Sequence, residues 1–99
     1  ALATETLSQL TTDLCFLGAI GVDPAAGITT YDEDEAAINR VMVTQAKRTV
    51  VVCDASKLGH VGFARICHVQ EVSAIITDAA ADPAMVATLE GLGVEVILA

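Results

Sequence analysis

Apolar positions along this chain change their period several times, and each change predicts an element. "LCFLGAI", Leu14 to Ile20, is apolar almost without a break and strand-sized, which predicts a buried strand; Gly21 and "VDPAAG" then release it into a turn. From Ile38 the period lengthens to i, i+3, i+4 and i+7 through Val41, Met42 and Gln45, the mostly apolar stripe of a helix. That helix is predicted to start near Asp32, whose side chain can cap the amide of Glu35 while the Glu35 side chain reaches back to the Asp32 backbone. Asp34 in the first turn, with Lys47 and Arg48 at the other end, would complement the helix dipole.

"TVVVC", Thr49 to Cys53, reads as a second buried strand, and polarity returns abruptly at Asp54, Ser56 and Lys57, where it should end. "FARICHV" is a short extended or irregular segment, and "SAIIT" predicts a strand ending at Asp78. Asp82-Pro83 has the form of a helix cap followed by proline at the first helical position, with Met85, Val86 and Leu89 on the inner face. Gly91 and Gly93 can end that helix before a last strand, "VEVIL". Ahead of all this, Ala1 to Thr11 reads as the end of a helix or an incoming connection, with Leu7 and Leu10 on one face. The order strand, helix, strand, linker, strand, helix, strand predicts the α/β class, a largely parallel sheet flanked by helices. In such sheets ligands bind beyond the carboxyl ends of the strands, where Gly18 to Asp23, Asp54 to Lys57 and Asp78 would emerge.

Composition narrows this picture. A chain of 99 residues that is 54% hydrophobic can bury one core, so a single domain is expected. Phe16, Tyr31 and Phe63 are its only aromatics, so Val, Ile, Leu and Ala must build that core. Thirteen acids against five Lys plus Arg give a formal charge of -8, which repels a nucleic-acid backbone. It leaves room for a small anion at a locally cationic turn. Cys15, Cys53 and Cys67 form an odd set without a CxxC spacing, which favours free thiols, a reducing compartment and hence the cytoplasm. No apolar run has the length of a membrane span and no signal peptide is recognisable.

Several residues carry candidate chemistry, each with a structural alternative. Lys57 could meet a phosphate, helped by the Ser56 hydroxyl and nearby turn amides, or be a solvated surface lysine. Asp54 suits sugar hydroxyls, or closes the turn through a backbone amide. Gly18 and Gly21 lack a GxGxxG context; they let backbone approach a ligand or relieve a tight strand exit. Thr30, with Gly27 and Thr29, offers a hydroxyl before the acidic helix or simply forms a turn. Glu35 is a ligand contact, a general base or half of the capping box. His60, His68 and Cys67 do not complete a metal set, and no nucleophile elbow is present, so neither a catalytic residue nor a cofactor is predicted.

Joined together, "FLGAIGVD", "DEDEAAINRVM" and "CDASKLG", followed by "FARICHV", "SAIITD" and "LEGLGVEVILA", resemble the C-terminal effector-sensing domain of the DeoR family of bacterial transcriptional regulators along essentially the whole chain. The resemblance implies that residues 1–99 are the later part of a sugar-phosphate sensor. It places the family's winged helix-turn-helix and early Gly-Thr-Thr phosphate loop outside this sequence. Operator DNA would then be contacted only through that other domain, by a homo-oligomer and usually in repression. The family is similar in fold to ribose-5-phosphate isomerase. Against the isomerase pattern, Gly18-Ala19-Ile20 has Ile20 where the enzymes carry aspartate, Ala26 to Thr29 lacks their lysine, Glu35 matches their catalytic glutamate, and Asp54-Ala55-Ser56-Lys57 matches their ligand turn. A sensor that binds without turnover is therefore expected, with a sugar-phosphate isomerase or a purely structural oligomerisation domain as alternatives.

Overall fold

A computed structural model of the protein describes Glu5 and residues 10–99. The predicted pairing of Leu7 with Leu10 lies partly outside the described residues. The elements run β1 (Thr12–Gly18), β2 (Gly21–Asp23), β3 (Gly27–Thr30), α1 (Glu33–Gln45), β4 (Ala46–Val52), β5 (Ala64–Cys67), β6 (Ala74–Thr77), α2 (Pro83–Gly91) and β7 (Glu95–Leu98). Short 3-10 turns occupy Ala55–Lys57 and Val69–Glu71.

Four strands form a parallel sheet in the order β1-β4-β6-β7, the predicted α/β architecture. Register puts Leu17, Val51, Ile75 and Val96 in one row, since partnered residues of parallel strands point to the same face. Leu17, Val51 and Ile75 are buried in a core that also takes Ala36 and Val43 from α1 and Leu89 from α2. Each fully buried aliphatic side chain there contributes roughly 1.5–3 kcal/mol. The alternate rows are covered unevenly: Val50 and Ala74, in register with Phe16, are buried, whereas Phe16, Val52 and Ile97 are exposed.

A second sheet, β2-β3-β5, is antiparallel throughout and does not follow from the sequence reading. β2 and β3 form a hairpin closed by Asp23, whose Oδ2 accepts from the amides of Ala25 and Ala26 at 2.9 and 2.8 Å. Gly27 sits at φ +87°, the left-handed conformation that favours glycine, and a Cβ there would strike the Cys67 carbonyl oxygen. "GITT" is thus a buried strand, not a turn.

Two predicted details of α1 are corrected. Asp32 does cap the helix, but its Oδ1 accepts from the Asp34 amide at 2.9 Å, and Glu35 returns no hydrogen bond among the described residues. An Asp side chain is short and here reaches N2, which leaves the reciprocal box unformed. The helix ends at Gln45, so Lys47 and Arg48 lie in β4 and not in its last turn; β4 starts three residues before the predicted Thr49. The second helix forms as expected, with Asp82 Oδ2 accepting from the Met85 amide at 3.1 Å, Pro83 at its start and Gly93 at φ +97° beyond its end.

Candidate functional site

At the carboxyl edge of the parallel sheet, β4 delivers Asp54 and the Ala55–Lys57 turn, while β6 delivers Thr77 and Asp78. Asp54 caps its own turn: Oδ1 accepts from the Ser56 amide at 3.0 Å and from the Ser56 hydroxyl, and the Asp54 carbonyl accepts from the Lys57 amide at 3.1 Å. These contacts hold the Asp54 carboxyl below its ordinary range, the Ser56 hydroxyl being the largest cause and the Lys57 charge a smaller one. Lys57 Nζ stands 3.9 Å from Asp54 Oδ2 with its side chain about a third exposed.

Asp78 ties the two strand ends together. Its Oδ2 accepts from the Ala55 amide at 2.9 Å and its Oδ1 from the Ala80 amide at 2.9 Å. An open depression of about 310 Å3 is lined by Cys53, Asp54, Ile76, Thr77, Asp78 and Ala99, with Val52 at its side. The Thr77 hydroxyl is buried there without a regular hydrogen-bond partner. Burial raises the Cys53 thiol above its usual range, the Thr77 hydroxyl opposing this and the Asp54 and Asp78 charges adding to it. Burial likewise raises Cys15 and pushes Cys67 up to about 12, so the fold favours the thiol form at all three free cysteines.

The candidate residues fall into two groups. Gly18 lies at the end of β1, partnered with Val52, and has open space where a Cβ would stand, so it belongs to the same edge as Asp54, Ser56 and Lys57. Gly21, Thr30 and Glu35 do not share that turn. Gly21 is buried because the His60 carbonyl packs where its side chain would be, and the same spot holds Thr29 Oγ1, which donates to the Gly21 carbonyl at 3.3 Å and accepts from the Gly62 amide at 2.8 Å. Thr30 is a buried strand residue opposite Ala64. Glu35 is exposed on the first turn of α1 and forms no ion pair among the described residues. The turn amides of Ala55, Ser56 and Lys57 are all engaged within the protein, so they are not free anion donors.

Asp78, expected at this edge but given no ligand role, completes it together with Thr77 and Cys53, which the sequence reading did not single out. The signal was present: "ITD" and "VCD" each place an aspartate directly after an apolar strand. Beside the edge, the loop from Gly59 to Phe63 is anchored by the Gly59 amide donating to Val22 O at 2.7 Å. Tyr31 OH and His60 Nε2 meet across it at 2.9 Å, with the rings edge to face.

A parallel α/β sheet whose carboxyl ends carry an Asp-capped polar turn braced by a second strand-end aspartate has the edge geometry at which open α/β folds bind ligands. Residues 1–79 match the DeoR C-terminal sensor domain, and the chain belongs to that family. It is 39% identical over 85 residues, 86% of this chain and 33% of the relative, to the HTH-type transcriptional regulator GlpR of Haloferax volcanii. It is 36% identical over 96 residues, 97% of this chain and 36% of the relative, to a protein of Escherichia coli provisionally named aga operon transcriptional repressor. The HTH-type transcriptional repressor GlcR of Bacillus subtilis is 32% identical over 94 residues, 95% of this chain and 36% of the relative. The chain thus spans about a third of the length of these curated relatives.

Proposed function

We propose that this sensor domain binds a phosphorylated sugar at the carboxyl edge and that, in the whole regulator, binding changes the population of DNA-binding geometries, relieving repression. The observation that carries the reading is the Asp54–Lys57 turn, fixed from beneath by Asp78 and leaving a partly exposed ammonium at its rim. With the turn amides engaged, a phosphate would be met by Lys57, whose three N–H donors exceed what one contact to Asp54 uses. The carboxylates of Asp54 and Asp78 are acceptors suited to sugar hydroxyls.

The names of the relatives support regulation: two are described as repressors and one as a transcriptional regulator. Proton transfer would need a second group beside Glu35, yet Glu35 is exposed and unpartnered among the described residues, and Ile20 stands where isomerase-like proteins carry aspartate. Those features support binding without turnover. In this reading the intact protein works in the cytoplasm as a homo-oligomer, its operator contacts made by a separate helix-turn-helix domain, since two-fold operators match two-fold proteins.

The test is a titration of the intact regulator with a panel of sugar phosphates while operator binding is measured. A ligand-dependent change in operator affinity is expected, and a flat response across the panel would sink the assignment. An isomerase assay on the same preparation, with Glu35→Ala as control, should show no turnover.

A further inference from the structure

A second cleft, of about 420 Å3, lies between α1 and β5 and shares no residue with the carboxyl edge. Its polar rim holds Arg40, Arg65, His68 and Glu71, and its floor includes the buried Val43 and Ile66. We propose that this cleft is a binding site for a single oxyanion, a phosphate or carboxylate group carried by a small molecule, gripped by the guanidiniums of Arg40 and Arg65.

Preorganisation is the first argument. Arg40 Nε donates to the Arg65 carbonyl at 2.9 Å, and Arg65 Nε donates to the Ala26 carbonyl at 2.8 Å, so each guanidinium is aimed by backbone, one by β5 and the other by the turn between β2 and β3. Little side-chain entropy remains to be lost when an anion arrives.

Free donor capacity is the second. A guanidinium carries five N–H groups. Arg40 spends one at Nε and one from each terminal nitrogen on Glu33 Oε1, both at 3.0 Å. Arg65 spends Nε and one N–H of Nη1, the latter shared with His68 Nε2 at 3.3 Å. Two N–H groups on Arg40 and three on Arg65 are left over, charge-assisted donors of the kind that bind carboxylate and phosphate, and both side chains line the cleft.

Charge is the third argument. In a chain with thirteen carboxylates, Arg65 forms no ion pair among the described residues. Glu33 answers Arg40, and Glu71 spends Oε2 on the His68 amide at 2.7 Å. Arg65 is therefore the rim cation left without an ion pair, beside Glu71 and over the buried Val43 and Ile66.

The test uses the intact protein with labelled arginine side chains, titrated at constant ionic strength with inorganic phosphate in one arm and acetate in the other. The Nε–H resonances of Arg40 and Arg65 should move together and saturate in at least one arm. The arm with the tighter saturation identifies a phosphoryl or a carboxylate ligand. Arg65→Gln should weaken that binding about tenfold or more, Arg40→Gln should weaken it independently, and Arg48→Gln, at an exposed position of β4, should leave it unchanged. Non-saturating shifts in both arms, or equal losses in all three variants, would overturn the site. So would a phosphate response confined to Lys57 and Ser56, an outcome that leaves the sensor reading intact.

Discussion

Lys57 is the residue on which the ligand reading turns. Among the described residues its ammonium is held by one long contact, to Asp54, so a phosphate can displace that contact without breaking the turn, which rests on Asp54 and Asp78 accepting backbone amides. Lys57→Ala in the intact regulator should cost about 1–3 kcal/mol of sugar-phosphate affinity and little for the unphosphorylated sugar, measured by calorimetry. Asp54 makes a different prediction. Its carboxyl value is lowered in the fold from an ordinary 3.8, so its charge stabilises the native state above about pH 4, and that contribution is lost as pH falls through the lowered value. Asp54→Asn should therefore lower the urea midpoint at neutral pH, and the gap from the parent should close in strong acid. Both residues were legible in "CDASKLG", because polar side chains directly after an apolar run mark a strand's exit. Asp78 was legible in the same way, but its bracing of the Ala55 amide is a contact across 23 positions of sequence that no local pattern encodes.

Among the elements, those with strong periodicity were the readable ones. β1, β6, both helices and β7 follow from apolar runs, caps and terminating glycines. The β2-β3-β5 sheet was hidden because strands of three and four residues fall below the length at which alternation shows, and because "GITT" uses turn-forming residue types in a buried strand. Lys47 and Arg48 misled for a related reason: no breaker separates α1 from β4, and the helix stops at Gln45 as the Ala46 backbone turns extended. The hidden sheet also reassigns Gly21, whose missing side chain makes room for the His60 carbonyl. Gly21→Ala should destabilise the protein by about 1–3 kcal/mol through overpacking, seen as a lower melting temperature, with no selective effect on phosphate over sugar. A selective loss of ligand affinity in a variant of unchanged stability would return Gly21 to the binding surface.

For the whole molecule, thirteen acids on 99 residues imply self-repulsion in the compact state. The folded form should gain stability as salt rises over the range in which the screening length shrinks from roughly 30 to 10 Å, read from chemical denaturation at each ionic strength. The opposite trend would show that the Arg40 to Glu33 and Lys47 to Asp13 pairs outweigh the repulsion. The distribution of aromatic rings has a separate, spectroscopic consequence. Phe16, Tyr31 and Phe63 are 60, 61 and 81% exposed, and the chain has no tryptophan, so no chromophore watches the aliphatic core. Near-ultraviolet circular dichroism and tyrosine emission will be nearly blind to core melting, which must be followed through the backbone. Tyr31 emission instead monitors one place: its phenol sits on the His60 ring, in the loop that follows the Asp54–Lys57 turn. Quenching or recovery of that single fluorophore becomes an optical gauge of loop movement during ligand titration, obtained without any label.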